Sequence, residues 1–240
     1  MLLRATDRLF GRLPDFVCIG AQKAGTTWLH RQLSEHPEVF VPERKELDFF
    51  TRKRSILWYR GQFRPALRHQ ITGDLSPNYM PRIEPAEMVR LLPNAKVFCI
   101  LRDPAERAFS QWKMAKFRGS IPESLTFMQA FERDLKFLKT RGFYADLIEK
   151  FEAPLPKGGR LAVFFFEDIS NRPLGLLKEV FSFLGISENF IPAAVSSVVW
   201  VSPSSEIMSR EDREQIIAYY RDDITRLEGR VDRDLSAWKE

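Results

Sequence analysis

Phe16-Val17-Cys18-Ile19-Gly20 is a short apolar run that leads into Ala21-Gln22-Lys23-Ala24-Gly25-Thr26-Thr27 and then a segment of helical period. A strand, a tight loop and a helix start in that order make an anion cradle, because backbone N–H groups, the positive end of the helix dipole and a lysine converge on one point. The spacing is not that of the nucleotide-triphosphate loop G-x-x-x-x-G-K-[ST], since Thr26 follows Gly25 and the lysine stands at Lys23, inside the loop. A lysine placed there addresses a different part of a ligand. A second constellation, Arg102-Asp103-Pro104-Ala105-Glu106-Arg107-Ala108-Phe109-Ser110, follows the apolar run Lys96–Leu101. Pro104 suits a first helical turn, Asp103 can cap it, and the planar fork of Arg102 matches phosphate oxygens. Ser110 lies about two helical turns on, within reach of the same anion.

The two segments together resemble the sulfotransferases that use 3′-phosphoadenosine 5′-phosphosulfate (PAPS). Lys23-Ala24-Gly25-Thr26-Thr27-Trp28 matches that family's 5′-phosphosulfate loop, K-x-G-T-T followed by an aromatic or apolar residue, and 102–110 matches its 3′-phosphate segment, R-[DN]-P-x-x-R-x-x-S. The resemblance extends diffusely from Asp15 to Trp238. It implies a P-loop-like α/β sandwich of three layers and PAPS as cosubstrate, with adenosine 3′,5′-bisphosphate as product. It also implies that Lys23, Ala24, Gly25, Thr26, Thr27 and Trp28 hold the phosphosulfate, that Arg102 and Ser110 bind the 3′-phosphate, and that Arg107 braces the loop. No metal is implied.

Val41-Pro42-Glu43-Arg44-Lys45-Glu46-Leu47-Asp48-Phe49-Phe50 is similar to the K-E-x-x-F-F segment of the glycosaminoglycan branch, where the glutamate is the catalytic base. Carried over, the base is Glu46; the alternative reading of the residue is a solvated carboxylate at a helix start. Departures are visible too. The branch's E-K-S/T-x-x-Y becomes Asp74-Leu75-Ser76-Pro77-Asn78-Tyr79, and Leu75 cannot assist a leaving group. The K-G-x-x-G tail of the cytosolic branch is absent, so any cover for the 3′-phosphate comes from Phe190–Ser209 or elsewhere.

In sulfuryl transfer, charge gathers on the bridging oxygen as the S–O bond breaks, and a lysine there lowers the barrier. Lys23 is the candidate. The acceptor hydroxyl or amine gives up its proton to a positioned carboxylate, which the resemblance assigns to Glu46. Among the histidines, His30 sits inside the first helix, His36 precedes Pro37 and His69 lies in a basic connector, so all three read as structural or surface residues. Arg52, Lys53, Arg54, Arg60, Arg64 and Arg68 form a basic run, either a solvated face or a contact for a polyanionic acceptor.

Alternating apolar runs and helical segments place a mostly parallel sheet between helices. Strands are expected at Phe16–Gly20, Val39–Val41, Ile71–Asp74, Lys96–Leu101 and Leu161–Phe166. Helices are expected at Thr26–Ser34, Pro85–Leu92, Ala105–Arg118, Leu125–Lys139, Tyr144–Phe151, Leu174–Leu184 and Arg210–Leu227. Pro42–Arg68 and Phe190–Ser209 read as loop-rich stretches. No repeat or Ser/Gly-rich linker divides the 240 residues, so 1–240 reads as one sulfotransferase domain.

Composition sets the outer limits. Hydrophobic residues make up 44% and charged residues 29%, which excludes disordered and low-complexity classes. A net charge of +5 is far below a nucleic-acid-binding footprint, and no run approaches a membrane span. Cys18 and Cys99 sit in apolar runs as buried thiols, consistent with a reducing, cytoplasmic setting. The partner expected is a small-molecule or saccharide acceptor, with neither nucleic acid nor membrane. A small-molecule kinase and a non-catalytic nucleotide- or polyanion-binding protein are the competing classes; the missing G-K-[ST] argues against the first.

Overall fold

The structure, a computed structural model, describes residues 11–156, 161–193, 195 and 205–240. It groups into two compact units, Met1–Leu101 with Phe151–Val199 and Arg102–Lys150 with Trp200–Glu240.

The first unit holds a five-stranded parallel sheet, β1 Phe16–Gly20, β2 Val39–Phe40, β3 Ile71–Leu75, β4 Lys96–Leu101 and β5 Leu161–Phe165, in the order β2-β3-β1-β4-β5. Every residue of β1 is buried, as a central parallel strand covered on both faces requires. Phe16, Val17, Ile19, Phe98 and Ile100 are wholly buried, and so are Cys18 and Cys99, whose thiols carry no disulfide. Burial pushes the Cys18 thiol up to about 12, which leaves it inert near neutrality.

Helices α1 Thr26–Glu35, α2 Ile56–Gln62 and α3 Pro85–Leu91 lie in the connections among the first four strands, and α7 Glu167–Asn171 and α8 Pro173–Leu184 follow β5. α1 turns Trp28, Leu29 and Leu33 into the core and stops at His36, before Pro37, where the chain is extended (ψ 125°). Connections leave β1 and β4 in opposite directions along the sheet, so the carboxyl ends of these neighbours form its topological switch point, where ligands of open α/β sheets bind.

The second unit is helical: α4 Pro104–Phe117, α5 Phe127–Glu132, most of α6 Tyr144–Glu152, and α9 Arg210–Glu228. Ile216, Ile217, Tyr220, Ile224 and Leu227 of α9 are buried, as their helical spacing predicts. The Asp223 carboxylate accepts from Tyr144 N at 2.7 Å and Ala145 N at 3.1 Å, which caps the start of α6.

Two expectations change. Within the loop-rich stretch Pro42–Arg68 lies a helix not expected there, α2, whose first turn is fixed by the Ser55 hydroxyl accepting from Trp58 N at 3.1 Å. The helix expected over Leu125–Lys139 ends at Glu132, because Asp134 takes a left-handed φ of 47° and its carboxylate accepts from Lys139 N and Thr140 N, pulling the chain into a turn. Residues 194 and 196–204, half of the stretch expected to cover the 3′-phosphate, lie outside the described residues.

Candidate active site

The loop after β1 is shaped by two left-handed residues, Lys23 at φ 69° and Gly25 at φ 86°. Gly25 is also the N-cap of α1, and no side chain caps that helix. A side chain is not tolerated there: a Cβ would stand 2.3 Å from Ile169 Cδ1 and 3.1 Å from Phe166 Cδ2, so α7 presses on the loop from behind. An α-helix leaves its first N–H groups without intrahelical partners, and here Thr26, Thr27 and Trp28 follow a bare N-cap with no acidic residue in the first turn. A helix start of this kind suits an anion, and its own first turn carries no carboxylate to oppose one. Ala24 and Trp28 are buried beneath it, and Trp28 Nε1 donates to Val195 O at 3.2 Å.

Lys45 reaches this loop from the segment after β2. Its Nζ donates to Thr26 Oγ1 at 3.3 Å and to Glu46 Oε1 at 2.9 Å, so one ammonium joins the first residue of α1 to the carboxylate of Glu46. Glu46 is not at a helix start. It takes a left-handed φ of 60° two residues before Asp48, at φ 53°, and only then does a 3₁₀ turn run over Phe49–Thr51.

That unusual backbone is held from below. Phe49 stacks on Tyr59 of α2 with ring centroids 4.1 Å apart, and Leu47, Tyr59 and Phe63 form a buried cluster with Leu13, Phe40 and Trp58 packed around it. Asp48 N donates to Ser76 Oγ at 3.1 Å, and Phe49 N to the Tyr79 hydroxyl at 2.8 Å. Those hydroxyls donate in turn to Asp74, Ser76 to Oδ1 at 2.6 Å and Tyr79 to Oδ2 at 2.8 Å, while the Tyr59 hydroxyl adds a third bond at 2.9 Å. Asp74 ends β3 in full burial. Desolvation raises its carboxyl to about 6 against the three hydroxyl bonds that favour the charged form.

The second motif is built in the helical unit. Asp103 caps α4 by accepting from Ala105 N at 2.8 Å and Glu106 N at 3.1 Å, Pro104 fills the first helical position, and Arg213 holds the other Asp103 oxygen at 2.7 Å. Arg102 donates to Glu106 at 3.1 Å, and its carbonyl accepts from the Tyr144 hydroxyl at 2.9 Å. Ser110 is 9% exposed. Arg107 is wholly buried and donates to Leu138 O, which is what a residue bracing the chain does.

The histidines have local partners or open solvent. His30 Nε2 meets Pro42 O at 2.9 Å, with burial lowering its pKa, and His36 Nε2 meets Ser187 O at 3.0 Å; His69 is exposed. The basic run divides as well. Arg52 pairs with Asp48 at 3.4 Å, Arg54 lies 4.0 Å over the Trp58 ring, and Arg60 donates to Gly11 O at 2.8 Å. Two residues of the site, Lys45 and Asp74, carried no signal beyond their place in family-like segments, since their partners come from elsewhere in the chain.

A family model, the sulfotransferase domain, matches residues 13–199. The chain is 33% identical over 187 residues to the mouse heparan sulfate glucosamine 3-O-sulfotransferase 3B1, covering 73% of this chain and 47% of that enzyme. It spans about a quarter to a half of the length of the curated heparan sulfate enzymes it matches. Among solved structures, the sulfotransferase from Alicyclobacillus acidocaldarius superposes with a TM-score of 0.83 at 26% identity, covering 95% of this chain and all of that one. A mouse sulfotransferase solved with PAP shares the fold at TM-score 0.51 and 16% identity, over 96% of this chain and 71% of that one. With its parallel sheet, its strand–loop–helix start and a family match over more than three quarters of its length, the chain belongs to the sulfotransferase domain family.

Proposed function

We propose that the protein transfers a sulfuryl group from PAPS to a hydroxyl or amine of a saccharide acceptor, with residues 1–240 acting as one unit. The observation that carries this reading is the Lys45 bridge, because it ties the Glu46 carboxylate to Thr26, the first residue of α1 at the end of the anion loop. The reaction needs an anion cradle and a proton acceptor within a few ångströms of each other, and sequence distance alone does not provide that.

Lys23, Ala24, Gly25, Thr26, Thr27 and Trp28 would receive the 5′-phosphosulfate; the bare N-cap, the left-handed Lys23 and the tight packing behind Gly25 fit an anion held on backbone N–H groups. PAPS supplies an activated sulfuryl group. As the S–O bond to phosphate breaks, its electron pair stays on the phosphate oxygen, where Lys23 stabilises the growing charge. The acceptor oxygen or nitrogen forms the new bond to sulfur and passes its proton to Glu46. Arg102 and Ser110 would read the 3′-phosphate, with Asp103 and Arg107 holding their backbone.

A saccharide acceptor is favoured by the likeness to heparan sulfate enzymes and by Arg44 and Arg54, which lie 5.8 and 4.0 Å from the Trp58 ring close in sequence to Glu46. Two buried, unpaired thiols fit a cytoplasmic protein. Among the described residues no helix is long and apolar enough to cross a membrane.

The test is incubation with ³⁵S-labelled PAPS and separate pools of desulfated heparan-type oligosaccharides, phenols and lipids, in EDTA and in magnesium. The proposal expects adenosine 3′,5′-bisphosphate release matched by labelled saccharide, equal in both buffers. Absence of labelled product with every pool, or a strict magnesium requirement, would overturn it.

A further inference from the structure

Three hydroxyls from α2 and from the segment after β3 converge on Asp74, and two of them do a second job. A hydroxyl has one proton and two lone pairs. Ser76 gives its proton to Asp74 Oδ1 and accepts from Asp48 N; Tyr79 gives its proton to Asp74 Oδ2 and accepts from Phe49 N. The carboxylate therefore dictates which way each hydroxyl faces. Reversed, either hydroxyl would oppose its proton to a backbone N–H, and the 46–50 segment would lose an anchor at a place where two residues already hold positive φ.

We propose that Asp74 is the positioning residue for the catalytic base: its buried carboxylate orients Ser76 and Tyr79 as acceptors for the Asp48 and Phe49 N–H groups and so fixes the strained segment that carries Glu46. The inference rests on the reading of Glu46 as the base. A further link runs the same way, from Gln22 in the anion loop through Asn78 (2.6 Å) to Asp48 (3.4 Å), so the cradle and the base segment share one polar network. Asp74 sits at the position of the acidic residue in E-K-S/T-x-x-Y, whose lysine is replaced here by Leu75. It keeps an anion at that place for a task that needs no lysine.

Asp74→Asn preserves size but turns one oxygen into a donor, which faces a hydroxyl proton and forces it round. The experiment compares the parent, Asp74→Asn, Tyr79→Phe, Glu46→Gln and the Asp74→Asn/Glu46→Gln double variant, by PAPS titration and by kcat with a labelled saccharide acceptor. Circular dichroism melts establish the folded range of each. The proposal expects kcat of Asp74→Asn to fall ~10–100-fold, the scale of an ångström-sized misplacement, with the PAPS Kd within about twofold of the parent. Tyr79→Phe, which removes one anchor and leaves the carboxylate, should show a smaller loss in the same parameter, and it carries the test if Asp74→Asn does not fold. Adding Asp74→Asn to Glu46→Gln should change the residual rate by less than about threefold, since a residue acting through the base has nothing left to position. A merely structural role would lower the rate equally in both backgrounds, and that overturns the proposal. Parent kcat in both Asp74→Asn and Tyr79→Phe, beside an impaired Glu46→Gln, overturns it while leaving the base in place. A Glu46→Gln protein at the parent rate removes the base assignment and this inference with it.

Discussion

Gly25→Ala tests the loop geometry on which the proposed PAPS binding depends, and its cost divides into two parts that a second substitution separates. An L-residue at φ 86° loses roughly 1–2 kcal/mol to contact between Cβ and its own backbone. The added carbon would also stand 2.3 Å from Ile169 Cδ1, so α7 or the loop must move, at roughly 1–3 kcal/mol for an overfilled site. The variant should therefore lose ~2–5 kcal/mol in urea unfolding and bind adenosine 3′,5′-bisphosphate more weakly by calorimetry. Removing the obstruction with Ile169→Ala should recover the packing share and leave the φ share. In that background Gly25→Ala should cost only ~1–2 kcal/mol, with Phe166 at 3.1 Å responsible for any excess. A Gly25→Ala protein as stable as the parent, or the same loss in both backgrounds, would refute the packing described here.

Asp74→Asn carries a signature in stability as well as rate. Burial raises its carboxyl from the ordinary aspartate range to about 6 in the fold, so the folded state is favoured while Asp74 is protonated, and roughly 3 kcal/mol is lost as pH rises from below 4 through 6. The groups facing it are the Tyr59, Ser76 and Tyr79 hydroxyls and the nearby Asp48 charge, and desolvation is the largest influence. Thermal melts between pH 4 and 7.5 should show the parent losing ground to Asp74→Asn as pH rises; parallel curves would contradict a buried, titrating Asp74. Lys45→Ala should lower kcat by ~10-fold or more, as expected for losing a charged hydrogen bond between loop and base, and single-turnover rates check this. Arg102→Ala should weaken adenosine 3′,5′-bisphosphate by ~10–100-fold while scarcely changing binding of adenosine 5′-phosphate, and equal losses for both would assign Arg102 to the fold.

The parts legible in the sequence are those whose signal is local. β1 and β4 are apolar runs, α1 and α4 begin where a glycine loop and Asp103-Pro104 dictate, and the candidate anion sites follow from what stands directly after each strand. α2 escaped because Ile56–Gln62 is only seven residues long, includes Gly61 and follows the basic run Arg52-Lys53-Arg54, although Ser55 is a proper cap. The helix drawn through Leu125–Lys139 ignored that Asp134 can satisfy three donors by turning the chain. Asp74 was visible only as a departure from a motif. Its meaning depends on Tyr59, fifteen residues upstream, and on Tyr79 arriving at the same carboxylate, which is a fact of tertiary packing. Lys45 is the same case: nothing in K-E says that the lysine will reach back nineteen residues to Thr26.

In the proposed reaction the loop after β1 holds the group being transferred, and Lys23 meets charge that appears as the S–O bond breaks. A residue of that kind contributes more to the transition state than to ground-state binding. The measurement is single-turnover transfer from ³⁵S-labelled PAPS by Lys23→Ala, beside its PAPS Kd by calorimetry. Transfer should be slower by ~10²-fold or more, the size of losing an oxyanion donor, with a much smaller change in Kd. Near-parent transfer at ordinary PAPS affinity would contradict it.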